Sequence, residues 1–133
     1  MARSRKILVA DDETHITQVV SLKLRNAGFE VLVANDGEEA LEIAQQELPA
    51  LIITDLQMPF LSGLEVARKL FQKPATRDIP IVVLTARGLG LSGEDLSESS
   101  IRQVLSKPFS PKQVLECALE ILTKTPTEDA EAA

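Results

Sequence analysis

The sequence contains no tryptophan and no tyrosine, and only four phenylalanines among 133 residues. Its core must therefore be aliphatic. There is one cysteine, Cys117, which excludes a disulfide framework and a multi-cysteine zinc site. The single histidine, His15, argues against a histidine-rich metal site. His15 reads as an exposed or hydrogen-bonded residue of the first helix, and Cys117 as a small buried hydrophobe on a helix stripe. No apolar run approaches the roughly 18 residues of a membrane span. The N-terminal basic residues precede only a short apolar run that ends in acids, which is not a signal peptide. The expected compartment is the cytoplasm, and no membrane partner is expected.

Basic residues are also few. Fourteen Lys and Arg face twenty Asp and Glu, for a net charge of −6. Arg3, Arg5 and Lys6 near one end cancel Glu128, Asp129 and Glu131 near the other, so the negative charge belongs to the domain between them. Direct nucleic-acid binding needs clustered Lys and Arg and is not expected. An acidic pocket that holds a cation is compatible with this balance.

Hydrophobic residues make up 44% and charged residues 26%, as in an ordinary soluble globular protein. The length suits one domain. Such a domain buries about two thirds of its unfolded surface, enough for a core without staples.

Short apolar runs alternate with helical patterns. Residues 7–10 form a continuous apolar run that ends in Asp11 and Asp12. Residues 13–27 have helical spacing and stop at Gly28. Residues 29–34 read as a valine-rich strand, and 38–48 as an amphipathic helix closed by Pro49. Residues 51–54 are a buried strand ending at Asp55. Ser62 and Glu65 have the spacing of a capping box for a helix to about residue 72. Residues 79–84 are a fourth strand, ending at Thr85. Ser92 and Asp95 mark a short helix to about residue 100, and residues 103–105 are a weak fifth strand. Ser110 caps the last helix, with Pro111 at its first position. Residues 125–133 read as an acidic disordered tail after a domain over 1–124.

This is a (βα)₅ pattern. Continuous apolar strands are buried on both faces, which predicts an α/β fold with a parallel sheet covered by helices. In such sheets ligands bind beyond the carboxyl ends of the strands. Those ends carry Asp11 and Asp12, Asp55, Thr85 and Lys107. Three carboxylates close together raise one another's pKa, and a divalent cation relieves the conflict. Oxygen ligands with retained waters suit Mg²⁺. A lysine supplies a point charge and a threonine a hydroxyl to an incoming anion. An aspartate beside Mg²⁺ and lysine is suited to attack phosphorus, and Asp55, on the central strand, fits that role.

The chain resembles a response-regulator receiver domain, the phospho-acceptor of two-component signalling. The motifs are KILVADDE at 6–13, TDLQMP at 54–59 with Gly63 following, LTA at 84–86 and SKPF at 106–109. Each is weak alone; their order, each at a predicted strand end, is specific. The resemblance spans about residues 4–124. It implies a doubly wound, flavodoxin-like parallel sheet in the order 2-1-3-4-5. Asp55 is then the phospho-acceptor. Asp12, Asp55 and the backbone carbonyl of Gln57 hold Mg²⁺ directly, and Asp11 holds it through water. Thr85 and Lys107 bind phosphoryl oxygens, Ala86 leaves the phosphoryl group room, and Pro108 orients Lys107 through a cis peptide bond. The implied partners are a sensor histidine kinase or phosphotransfer protein and a downstream protein target. The expected assembly is a monomer or weak homodimer, and the expected catalysis is confined to phosphoryl transfer and loss at Asp55 itself.

Several residues depart from the family pattern. Val104 stands where an aromatic residue is common, so the usual threonine–aromatic switch is not expected. Phe60 and Leu61 replace commoner small and Met residues. Residues 88–100 also differ, and residues 88–93 match GxGxxG. That stretch lies in the fourth βα unit and no acidic residue ends the next strand, so it reads as a mobile loop rather than a dinucleotide site. Two other readings stand beside the receiver. A phosphoaspartyl hydrolase would place a second Asp where Gln57 lies, and would need a cap domain. A phosphorylation-independent binding module, or a receiver excised from a larger regulator or hybrid kinase, is the alternative.

Overall fold

The computed structural model describes residues 6–85, 91–97, 99–107 and 109–124. Ala86, the glycine-rich loop through residue 90, the Pro108 peptide bond and the tail at 125–133 lie outside the described residues.

Ten elements alternate along the chain: β1 (Lys6–Ala10), α1 (Thr14–Asn26), β2 (Glu30–Ala34), α2 (Gly37–Glu47), β3 (Leu51–Asp55), α3 (Gly63–Phe71), β4 (Ile81–Thr85), α4 (Gly93–Ser97), β5 (Ile101–Ser106) and α5 (Pro111–Lys124). All pairings are parallel, and the strand order is β2-β1-β3-β4-β5. The expected doubly wound architecture is observed. The chain leaves β1 toward β2 and then returns to the other side of β1 as β3. The reversal places the carboxyl ends of β1 and β3 side by side.

Alternation along the strands divides the core into two. Ile7, Val9, Ile53, Val82 and Leu84 face one side, where Val20 and Leu24 of α1 and Val114, Ala118 and Ile121 of α5 cover them. Leu8, Ala10, Ile52, Ile81 and Val83 face the other side, under Ala40 and Ala44 of α2 and Val66, Ala67 and Leu70 of α3. Both faces of β3 and β4 are buried throughout. Each fully buried Leu or Ile contributes about 1.5–3 kcal/mol. Cys117 belongs to the first cluster, and burial pushes its thiol pKa up, as suits a packing residue. His15 is exposed on α1.

The helix starts follow the sequence signals. Ser62 and Glu65 form the reciprocal box at α3. Ser92 and Asp95 form one at α4, at 2.9 and 3.0 Å. Ser110 and Gln113 form one at α5, at 2.8 and 3.1 Å.

The differences lie in β4, α4 and β5. β4 begins at Ile81, two residues later than expected, because Pro80 has no N–H for the ladder. The α4 helix is shorter than expected and buries none of its residues. Ser99 turns its hydroxyl back onto the Asp95 carbonyl at 2.9 Å, and an Asp95–Arg68 ion pair ties α4 to α3. The β5 strand is longer, Ile101–Ser106, with a register shift opposite Ile81 and Val82. Arg102 and Gln103 are exposed on this edge strand, which masks its apolar periodicity.

Candidate functional site

The site is built at the carboxyl edge of the sheet. β1 ends at Ala10, so the backbone delivers Asp11 to the rim, where its N–H donates to the Ala34 carbonyl of β2 at 3.2 Å. β3 ends at Asp55, as expected. Thr85 closes β4, and Lys107 follows β5. Asp11, Asp55 and Thr85 are buried, while Asp12 is exposed.

Carboxylate oxygens of Asp11, Asp12 and Asp55 all lie within 4.8 Å of one another. The Lys107 ammonium joins them, 3.3 Å from Asp55 Oδ2 and 3.8 Å from Asp11 Oδ2. Its shortest contact is with Glu13 Oε1, at 3.0 Å. Asp11 Oδ1 accepts the Glu13 backbone N–H at 2.9 Å. Asp11 Oδ2 is buried and has no hydrogen-bond partner among the described residues. Asp55 Oδ1 accepts the Gln57 N–H at 3.3 Å, which folds the Gln57 backbone over the carboxylate.

These contacts set the charges. Burial pushes the Asp11 pKa up to about 6, and the nearby Asp55 charge adds to the rise, while the Glu13 N–H and Lys107 oppose it. Burial alone disfavours the Lys107 ammonium. The Glu13 hydrogen bond and the Asp11 and Asp55 charges outweigh that and hold the Lys107 pKa above its ordinary value. Glu13 is held below the usual carboxylate range by the Lys107 hydrogen bond and charge.

The loop from β3 to α3 keeps Asp55 in place. The Leu56 N–H donates to the Leu84 carbonyl at 3.1 Å, and the Gly63 N–H to the Leu56 carbonyl at 2.8 Å. A Cβ on Gly63 would lie 2.3 Å from the Asp55 carbonyl oxygen, so only glycine allows this approach. Pro59 accepts from Gly37 at 3.2 Å and from Leu61 at 2.8 Å, with Phe60 between at φ 72°. Phe60 therefore projects outward and is 73% exposed.

The structure thus brings the predicted Asp11, Asp12, Asp55 and Lys107 together, with Thr85 at the neighbouring strand end. The Gln57 backbone borders the same pocket. The residue that the sequence reading passed over is Glu13. It stands third in an acidic run, where the helix start alone accounts for it; its contact with Lys107 spans 94 positions and has no sequence signal.

Among the described residues no helix is long and apolar enough to cross a membrane. Residues 7–119 match the response regulator receiver domain family. The phosphate regulon transcriptional regulatory protein PhoB of Pseudomonas aeruginosa is 34% identical over 128 residues, which is 96% of this chain and 56% of the relative. The alkaline phosphatase synthesis transcriptional regulatory protein PhoP of Bacillus subtilis is 39% identical over 119 residues, 84% of this chain and 45% of the relative. The chain spans about half the length of the curated relatives it matches. The chemotaxis response regulator CheY4 of Vibrio cholerae superposes with a TM-score of 0.81 at 32% identity, covering 90% of this chain and 99% of that one. TrrA of Thermotoga maritima, solved in complex with Mg(2+)-BeF, gives 0.75 at 34% identity, covering 87% and 97%. The chain belongs to the response regulator receiver domain family of two-component systems, with a CheY-like, flavodoxin-type fold.

Proposed function

We propose that Asp55 accepts a phosphoryl group from a phosphohistidine on a sensor histidine kinase or phosphotransfer protein. The observation that carries this reading is the set of Asp11, Asp12 and Asp55 oxygens within 4.8 Å of one another, with Lys107 against Asp55. An Asp55 oxygen forms the new O–P bond as the P–N bond of the phosphohistidine breaks. The electron pair of that bond stays on the imidazole, which is protonated on its other nitrogen and leaves neutral. Lys107 and Thr85 receive the phosphoryl oxygens, the first with charge and the second with a hydroxyl proton. Such a domain acts in signalling, and its catalysis is limited to transfer and loss at its own aspartate.

The donor set fits Mg²⁺. All the groups are hard oxygens, and the buried Asp11 Oδ2 has no hydrogen-bond partner among the described residues, which suits a group that faces a hydrated cation. Asp12, Asp55 and the Gln57 carbonyl would hold the ion directly, and Asp11 through water. Bound there, Mg²⁺ neutralises charge that develops on the transferred group. TrrA, of the same fold, was captured with magnesium and beryllium fluoride, which supports the assignment.

The receiver takes in residues 1–124, with 125–133 as a tail. Its output passes to a protein partner from a cytoplasmic monomer or weak homodimer, and the acidic balance speaks against direct nucleic-acid contact. Val104, half-buried on β5, cannot turn an aromatic ring inward, so the output uses another route. Val104 is also what favours the second reading, a phosphorylation-independent binding module.

Fluorine NMR with beryllium fluoride separates the two. The phospho-acceptor reading predicts bound fluorine resonances that require both Mg²⁺ and Asp55. Their absence in the wild type at saturating Mg²⁺ would favour the binding module.

A further inference from the structure

None of the roles above uses Glu13, although among the described residues it makes the shortest contact with the Lys107 ammonium. Glu13 occupies the N-cap of α1, yet its side chain makes no capping hydrogen bond. The residue types that serve there are Ser, Thr, Asp and Asn, with short side chains that reach the helix N–H groups. The Glu13 backbone is fixed nonetheless. Its N–H is held by Asp11 Oδ1 at 2.9 Å, and its carbonyl accepts from Ile16 at 3.0 Å and Thr17 at 3.3 Å. The carboxylate therefore reaches from a fixed point to the Lys107 ammonium.

The ammonium has two sets of carboxylate neighbours. The inner set is Asp55 at 3.3 Å and Asp11 at 3.8 Å, both buried. The outer one is Glu13 at 3.0 Å, whose side chain is 48% exposed. An ammonium seated against the inner set neutralises the carboxylates and repels a cation. The structure places it between the two, hydrogen-bonded to Glu13 at 3.0 Å and to Asp55 at 3.3 Å, so the pull of Glu13 works against its hold on the inner oxygens.

We propose that Glu13 is a positioning residue that draws the Lys107 ammonium toward the mouth of the pocket and so eases the access of a divalent cation to Asp11, Asp12 and Asp55. The proposal rests on the cation site put forward under the proposed function. A carboxylate can also favour a cation by simple attraction through solvent. That direct effect does not depend on Lys107, whereas the positioning effect vanishes without it.

The test is a double-mutant cycle on Mg²⁺ affinity, read by NMR titration of backbone amides in wild type, Glu13→Gln, Lys107→Met and the double variant. Glu13→Gln is expected to weaken Mg²⁺ binding about fivefold to tenfold when Lys107 is present, and less than about twofold when it is absent. The Lys107 ¹⁵Nζ resonance of the metal-free protein is expected to shift in Glu13→Gln, which a role confined to starting α1 would not cause. Equal weakening in both backgrounds, no weakening, or tighter binding would overturn the positioning role while leaving the cation site intact. A wild type that binds no Mg²⁺ at millimolar concentrations would overturn the cation site and this role with it.

Discussion

The backbone N–H of Lys107 donates to the carbonyl oxygen of Thr85 at 2.7 Å. That bond continues the β4–β5 ladder one step past the Thr85–Ser106 pair. The two residues suited to receive phosphoryl oxygens are therefore spaced by the sheet itself. Their side chains can lose a contact without the frame moving.

Lys107 offsets the repulsion among Asp11, Asp55 and Glu13. Lys107→Met keeps the backbone bond to Thr85 and removes that compensation. We predict a loss of about 1–3 kcal/mol of stability at pH 7 without metal. Urea denaturation should show part of it recovered at pH 5, where carboxylates take up protons, and part recovered with millimolar Mg²⁺. Stability equal to wild type would mean that the ammonium does not hold the cluster together.

Asp11 gives a pH dependence with a definite sign. Its folded pKa is raised from 3.8 to about 6, so the folded state binds the proton more tightly than the unfolded chain. Its contribution therefore falls as pH rises from about 4 through 6, and the ionised group opposes folding above that. Asp11→Asn removes the buried charge and keeps an acceptor for the Glu13 N–H. In EDTA the variant should be more stable than wild type by about 2–3 kcal/mol at pH 7.5, with the gain vanishing toward pH 4. Denaturation curves at several pH values check this. A pH-independent difference would mean that Asp11 does not titrate in that window.

Gly63 is a packing requirement with a functional reach. A Cβ there would lie 2.3 Å from the Asp55 carbonyl oxygen and 3.1 Å from the Leu56 Cα, both backbone atoms. Gly63→Ala must push the end of β3 away from α3, and should cost about 1–3 kcal/mol. It should also weaken Mg²⁺ binding, because Asp55 moves with its backbone. Calorimetric melting and Mg²⁺ titration of the same sample test both parts.

The strands that carry the site were legible because they are buried on both faces. Ile7-Leu8-Val9-Ala10 and Leu51-Ile52-Ile53-Thr54 have no polar side chain facing solvent, so their ends, Asp11 and Asp55, stood out as punctuation. The capping pairs Ser62–Glu65 and Ser92–Asp95 are local and were equally legible. The true length of β5 was not, because Arg102 and Gln103 sit on an exposed edge and interrupt the apolar pattern. Nor was the Pro80 boundary of β4, where Ile79 is buried without being in the strand. Glu13 escaped for a different reason. An acid at a helix start is satisfied by the helix dipole alone, and only the fold brings Lys107 to it.

The central claim is that Asp55 is a phospho-acceptor. It is tested most directly by intact-mass analysis after incubation with acetyl phosphate, with and without Mg²⁺, for wild type and Asp55→Asn. The account predicts a single phosphoryl adduct of about 80 Da that requires Mg²⁺ and is lost in the variant. An adduct that persists in Asp55→Asn, or none in a wild type that binds Mg²⁺, would contradict it.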